Sequence, residues 1–260
     1  MAATPQYAVL QKDGSRPGAE QIRRAFRSFS TLTDADAVRL AANAQGILLR
    51  HLSSDEARAF HRALEAEGVA AALVSENELK LLPESKALHR LSLTEHALEV
   101  YDLWGRPSPV SWNDIALVAA GAVRHVEIGL VPTDRATARL QSAFGNGSKK
   151  PVESAHKVQS ESQLILEIVL AGGATRYEID AAQFPFKYAI DRPEFSTVQK
   201  FVWLVREIGR RAAKALRNRG ASDMCHGIEL VRGYPNRQAF TDEMIWLLWS
   251  AARRGRTASH

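Results

Sequence analysis

The sequence predicts an α+β protein: a small βααβαβ domain followed by an antiparallel β-barrel that a C-terminal amphipathic helix caps. Three observations predict it. The first 75 residues alternate short apolar runs with stretches of helical periodicity. From Leu91 the texture changes to short strands separated by turns. A single long apolar stripe at helical spacing then begins near Ser196.

Composition permits such a fold without staples. Hydrophobic residues make up 45% and charged residues 24% of 260 residues, an ordinary globular balance. The one cysteine, Cys225, cannot form an internal disulfide. The start, Met1-Ala-Ala-Thr-Pro-Gln, lacks a basic region followed by an apolar one, and no apolar run approaches the ~18 residues of a membrane span. The expected location is therefore cytoplasmic. The net charge of +5 is local, because residues 195–260 hold 12 basic and 5 acidic side chains.

Residues 1–76 supply the first domain. Tyr7 to Leu10 reads as a strand ending in turn chemistry at Lys12-Asp13-Gly14. Ile22, Ala25, Phe26 and Phe29 mark a helix, and an acidic first turn after Thr33 opens a second one. Gly46 to Arg50 is a strand. Ser53 with Glu56 is a capping box for the next helix, which Gly68 closes before a third strand over Val69 to Val74. The order, with the stretches Leu52-Ser-Ser-Asp-Glu-Ala and Leu64-Glu-Ala-Glu-Gly-Val-Ala, resembles the C-terminal domain of the bacterial ribosomal stalk protein. Acids at Asp34 and Asp36 stand where that family carries its factor-binding lysines, so the resemblance implies the fold and carries over no binding residue.

Residues 77–89 read as a charged linker, and 90–220 as the second domain. Strands are expected at Leu91–Leu93, Ala97–Tyr101, Val123–Leu130, Leu164–Leu170 and Thr175–Ile179, the last two joined through Ala171-Gly-Gly-Ala. Asp102 to Pro107 reads as a loop. Residues 133–157, with Gly145-Asn-Gly-Ser-Lys-Lys-Pro151 at the tip, read as a flexible insertion. A helix from about Ser196 to Leu216 presents Phe201, Leu204, Val205, Ile208, Ala212 and Ala215 to a core. This element order, with Val110-Ser-Trp112-Asn-Asp-Ile115, resembles bacterial pleckstrin-homology-like barrels. Residues 221–260 read as a helical extension.

Chemistry-bearing motifs fall short of a reaction. Gly145 and Gly147 lie too close together for a phosphate loop. His125-Val-Glu127 has deaminase spacing but no cysteine pair downstream to complete a zinc shell. Adjacent Cys225 and His226 are poorly placed to converge on one substrate. The expectation is a non-enzymatic binding or adaptor protein without cofactor or metal, whose partner is a protein. The alternative is a peripheral binder of nucleic acid or an anionic membrane, using a basic helix face of Arg206, Arg210, Arg211, Lys214 and Arg217. An enzyme with an unrecognised site is the third reading. Trp246 and Trp249, one turn apart among Met244, Ile245, Leu247 and Leu248, form an apolar docking face expected to pack on the barrel or its capping helix.

Overall fold

The computed structural model describes residues 5–12, 17–27, 33, 35, 38, 46–130, 156–228 and 231–257. Its first sheet comprises β1 (Tyr7–Gln11), β2 (Ile47–Leu52) and β3 (Ala71–Ser75), antiparallel in the order β2-β1-β3. Helices α1 (Ala19–Arg27) and α2 (Ser54–Ala66) cover one face. The capping box forms: Ser53 Oγ accepts from Glu56 N and the Glu56 carboxylate accepts from Ser53 N. Ile22, Phe26, Phe60 and Leu64 bury their side chains against Val9 and Leu48, with the Phe26 and Phe60 rings 5.0 Å apart. Most of the helix expected after Thr33 lies outside the described residues.

The second sheet holds β4 (Ser85–Ala87), β8 (Ile115–Leu130), β9 (His156–Leu170), β10 (Arg176–Asp180), β11 (Leu216–Arg217) and β12 (Gly233–Tyr234). Its order is β11-β8-β9-β10-β4, with β12 also on the outer edge of β8. The stretch expected as linker thus contributes a strand, and His156 and Lys157, expected in the insertion, belong to β9. The rest of the expected insertion lies outside the described residues. The third sheet is β5 (Leu91–Leu93), β6 (Ala97–Tyr101) and β7 (Pro107–Ser111).

Two short edge strands leave a gap on β8 that one side chain fills. Leu216 pairs with Leu117 and Gly233 with Ala122. Between them Asn218 Oδ1 accepts from Ala120 N at 2.9 Å and its Nδ2 donates to Ala120 O at 3.1 Å. The amide thereby imitates a strand residue and satisfies two buried backbone groups. The approach is so close that a Cβ on Gly220 would sit 1.9 Å from Ala120 O, so this position admits only glycine.

Among the described residues, both faces of the second sheet are buried along residues 115–123 and 164–169. One shares a core with the third sheet, with α3 (Thr197–Arg211) and with α4 (Arg219–Cys225): Val118, Ala120, Leu166 and Ile168 meet Leu98, Val110, Trp112, Phe201, Leu204, Ile208 and Met224. No ladder among the described residues joins these two sheets into a closed barrel. α+β architecture is thus present, as two facing sheets with a covering helix. α3 ends at Arg211 rather than near Leu216, because the chain turns at Ala212 to pair β11 with β8. Edge pairing outweighs the helix propensity of Ala-Ala-Lys-Ala.

The other face packs on α5 (Arg237–Thr257), through Leu117, Val123, Ile165 and Val169 against Phe240 and Met244. The opposite side of α5 meets the first sheet, where Ile245, Trp246 and Trp249 pack on Ala8, Leu10, Ile47, Ala72 and Val74. α5 therefore lies between two sheets, not on the capping helix. This explains its wide apolar arc: a helix covered on two sides needs apolar residues on both. Trp246 Nε1 donates to Gln11 O at 2.8 Å, and Arg50 on β2 bonds Asp242 at 2.8 Å. Gly46 has φ +86°, and a Cβ there would lie 2.8 Å from that of Trp246, so glycine is needed twice over.

Candidate functional site

The strongest outward-facing feature is the tip of the β6–β7 hairpin. Asp102 builds it. Its backbone N–H donates to Arg106 O, and its carboxylate accepts from Trp104 N and Arg106 N at 2.9 Å each and from Arg106 Nε at 2.6 Å. Gly105 takes φ +77°, which lets the chain reverse. The Arg106 backbone N–H, the Arg106 guanidinium and the Trp104 N–H hold the Asp102 carboxyl below the usual aspartate range. A turn fastened at five points presents the two residues at its apex, and these are apolar. Leu103 is 83% exposed and Trp104 79% exposed.

Around the apex lie cations and aromatic rings. Arg106 sits 4.9 Å from the centroid of the Trp104 ring. Arg90 lies over Tyr101 at 4.3 Å and Tyr188 at 5.0 Å, and Lys187 is 5.1 Å from the Tyr188 ring. Beside the tip runs a groove of about 530 Å³ floored by Val100, Tyr101 and Tyr177, with Lys86 and His89 on its rim. Three tyrosines, a tryptophan and arginines in one patch are the residue types that dominate binding hot spots.

The neighbouring sheet edge is guarded. Asp102 and Arg106 form a hydrogen-bonded pair just beyond the register Tyr101↔Pro107 and Glu99↔Pro109. Antiparallel alternation then points the Pro107 and Pro109 nitrogens at the free edge of β7, where they offer no N–H to an added strand. Contact at this end of the molecule is left to side chains.

The basic face expected along α3 is not assembled. Lys214 and Arg217 lie beyond its last turn. Arg206 Nε donates to Met224 O at 2.7 Å and Arg217 Nη2 to Gly209 O at 2.6 Å, so both cap helix carbonyls. Arg210 and Arg211 pair with Glu207, and Arg211 also donates to Thr94 O. The hydrogen bonds from Arg210 lead in holding the Glu207 carboxyl low. Trp246 and Trp249 are 8% and 7% exposed and face the first sheet, where no external partner reaches them.

A second polar cluster lines a cleft of about 950 Å³. There Arg237, at the start of α5, bridges Glu167 and Glu178, and Arg176 pairs with Glu167 at 2.7 Å. Burial pushes the Glu167 carboxyl above its ordinary range, against the pull of both guanidiniums. With two carboxylates against two guanidiniums the cluster is charge-balanced and braces α5 to the sheet. Cys225 is also inward: burial raises its thiol, and His226 bonds the Ser222 carbonyl at 2.7 Å. The side chains of His125 and Glu127 lie outside the described residues.

Among the described residues no group of three His, Cys, Asp or Glu could hold a metal, and no helix is long and apolar enough to cross a membrane. The tip residues escaped the sequence reading because Asp102 to Pro107 looks like any loop. The signal present was an Asp-x-x-Gly-Arg turn enclosing Leu-Trp, two residue types that a solvated turn has no reason to hold. Comparison with known proteins finds no family model, no curated protein and no solved structure that matches this chain.

Proposed function

We propose that this protein is a non-enzymatic binding or adaptor protein that docks through the β6–β7 tip. One observation carries the reading: two large apolar side chains project into water from a turn held rigid by its own hydrogen bonds. Ordering is already complete before any partner arrives, which lowers the entropic cost of binding. The region from β4 to β11 is a pleckstrin-homology-like unit in this proposal, supported by two facing sheets around one core and a covering helix. The first sheet with its two helices is its stalk-domain-like companion.

The test uses a benzophenone side chain placed at position 104, which captures any neighbouring C–H bond whatever its chemistry. The control carries it at position 81, where Leu81 is equally exposed but stands outside the aromatic and cationic patch. Irradiation in extracts containing both membranes and soluble material should give adducts from position 104 and not from position 81. Equal yields at the two positions, or none at either, would remove the tip from the function.

A further inference from the structure

We infer that the tip docks on an anionic lipid surface, an inference resting on the binding reading above. The shape is the first argument. Exposure near four-fifths means that most of Leu103 and of Trp104 stands clear of the surface, although both also border the groove beside the tip. A convex apolar apex suits a deformable apolar medium. Adjacent leucine and tryptophan serve that medium together, since tryptophan favours the membrane–water interface and leucine the acyl region beneath it.

The charges supply the second argument. Lys86, Arg90 and Lys187 supply positive charge to the patch, against Glu99, which accepts from the Tyr101 hydroxyl, while Arg106 and the one carboxylate within the turn, Asp102, pair with each other. If Leu103 and Trp104 enter the acyl boundary, these neighbouring cations meet the lipid headgroups. Arg90 over two tyrosine rings and Arg106 over Trp104 keep this charge beside amphipathic rings that tolerate the interface.

Rival occupants each leave something unexplained. A single nucleic-acid strand would use the rings for stacking but has no use for Leu103. An acidic peptide laid in the groove would meet one side of Leu103 and Trp104 and leave the rest of each in water. The guarded edge of β7 argues against an added strand. A lipid surface uses the apex, the cations and the rings at once.

Co-sedimentation of the full chain with vesicles tests this. Vesicles of phosphatidylcholine mixed with phosphatidylserine should retain the protein at low salt, and phosphatidylcholine alone should retain far less. Leu103→Ser with Trp104→Ser should cut retention roughly tenfold or more, and Arg90→Gln or Lys187→Gln roughly fivefold each. Trp104 should shift its emission to the blue on binding, a change absent from Trp104→Phe. Circular dichroism checks that each variant is folded. Lack of retention by folded wild type, indifference to phosphatidylserine, or retention that survives the double substitution overturns the lipid inference. Should position 104 still crosslink in extracts while vesicles fail, the binding reading stands and the occupant is a protein or nucleic acid.

Discussion

Two tryptophan neighbourhoods in this molecule behave in opposite ways. Trp246 and Trp249 lie in a dense apolar run on α5, and every large neighbour they have in sequence finds a surface to cover. Trp104 has a single apolar neighbour and sits in a turn whose remaining residues are Asp102, Gly105 and Arg106. The first pair is held by packing and by the bond from Trp246 to Gln11 O. The second is held in the open by hydrogen bonds that stop its turn from folding back. Density of apolar residues along a helix signals interior. An isolated apolar pair inside polar turn chemistry signals contact with something outside.

Substitution at each site should separate the two sharply. Trp246→Ala opens a cavity between α5 and the first sheet and removes the indole donor to the Gln11 carbonyl, so urea denaturation should show a loss of about 3–5 kcal/mol. Trp104→Ala should stay within about 0.5 kcal/mol of wild type in the same measurement. A comparable cost at position 104 would make the tip part of the core and break the contrast. Next in size is Asn218→Ala, which strands Ala120 N and O on the edge of β8, and each buried orphan costs about 1–3 kcal/mol. Full stability in that variant would mean that β8 finds another partner there.

A smaller loss concerns the clasp between the first sheet and α5. Burial alone would push the Glu76 carboxyl up, but bonds from Arg50 and from His51 N outweigh it and leave the group below its usual range. A depressed carboxyl stabilises the fold above the unfolded pKa, and that contribution disappears as pH falls through the lower folded value. Thermal unfolding of wild type should therefore lose stability on the acid side of about pH 4.3. In Glu76→Gln that part of the loss should be missing. The difference should not exceed about 1 kcal/mol, because partly solvated pairs are screened. Identical acid-side profiles would show that the clasp adds nothing.

Local signals were legible in the sequence wherever the chain itself supplies the cause. The Ser53–Glu56 box, the glycine pair before β10 and the apolar stripe of α3 each depend on residues a few positions apart. What escaped depends on distant partners. Nothing near Lys214 says that β8 has an unpaired edge for Leu216 to join, so the local pattern extends the helix and draws a basic face along it. Likewise the residues of α5 announce burial but not against what, since β1, β2 and β3 on one side and β8 and β9 on the other lie far back in the chain. The tip was hidden by the opposite problem: its cause is local, yet its meaning lies in a partner outside the chain.

The position of α5 also sets a timetable. The strands of the first sheet leave the ribosome well before the helix that covers their second face, with about 160 residues made in between, roughly 10–30 s of synthesis. Through that interval Ala8, Leu10, Ile47, Ala72 and Val74 have no α5 to lie against. The nascent chain carries a sticky sheet for all that time, and shielding it until α5 emerges is work for a chaperone or for the ribosome surface itself.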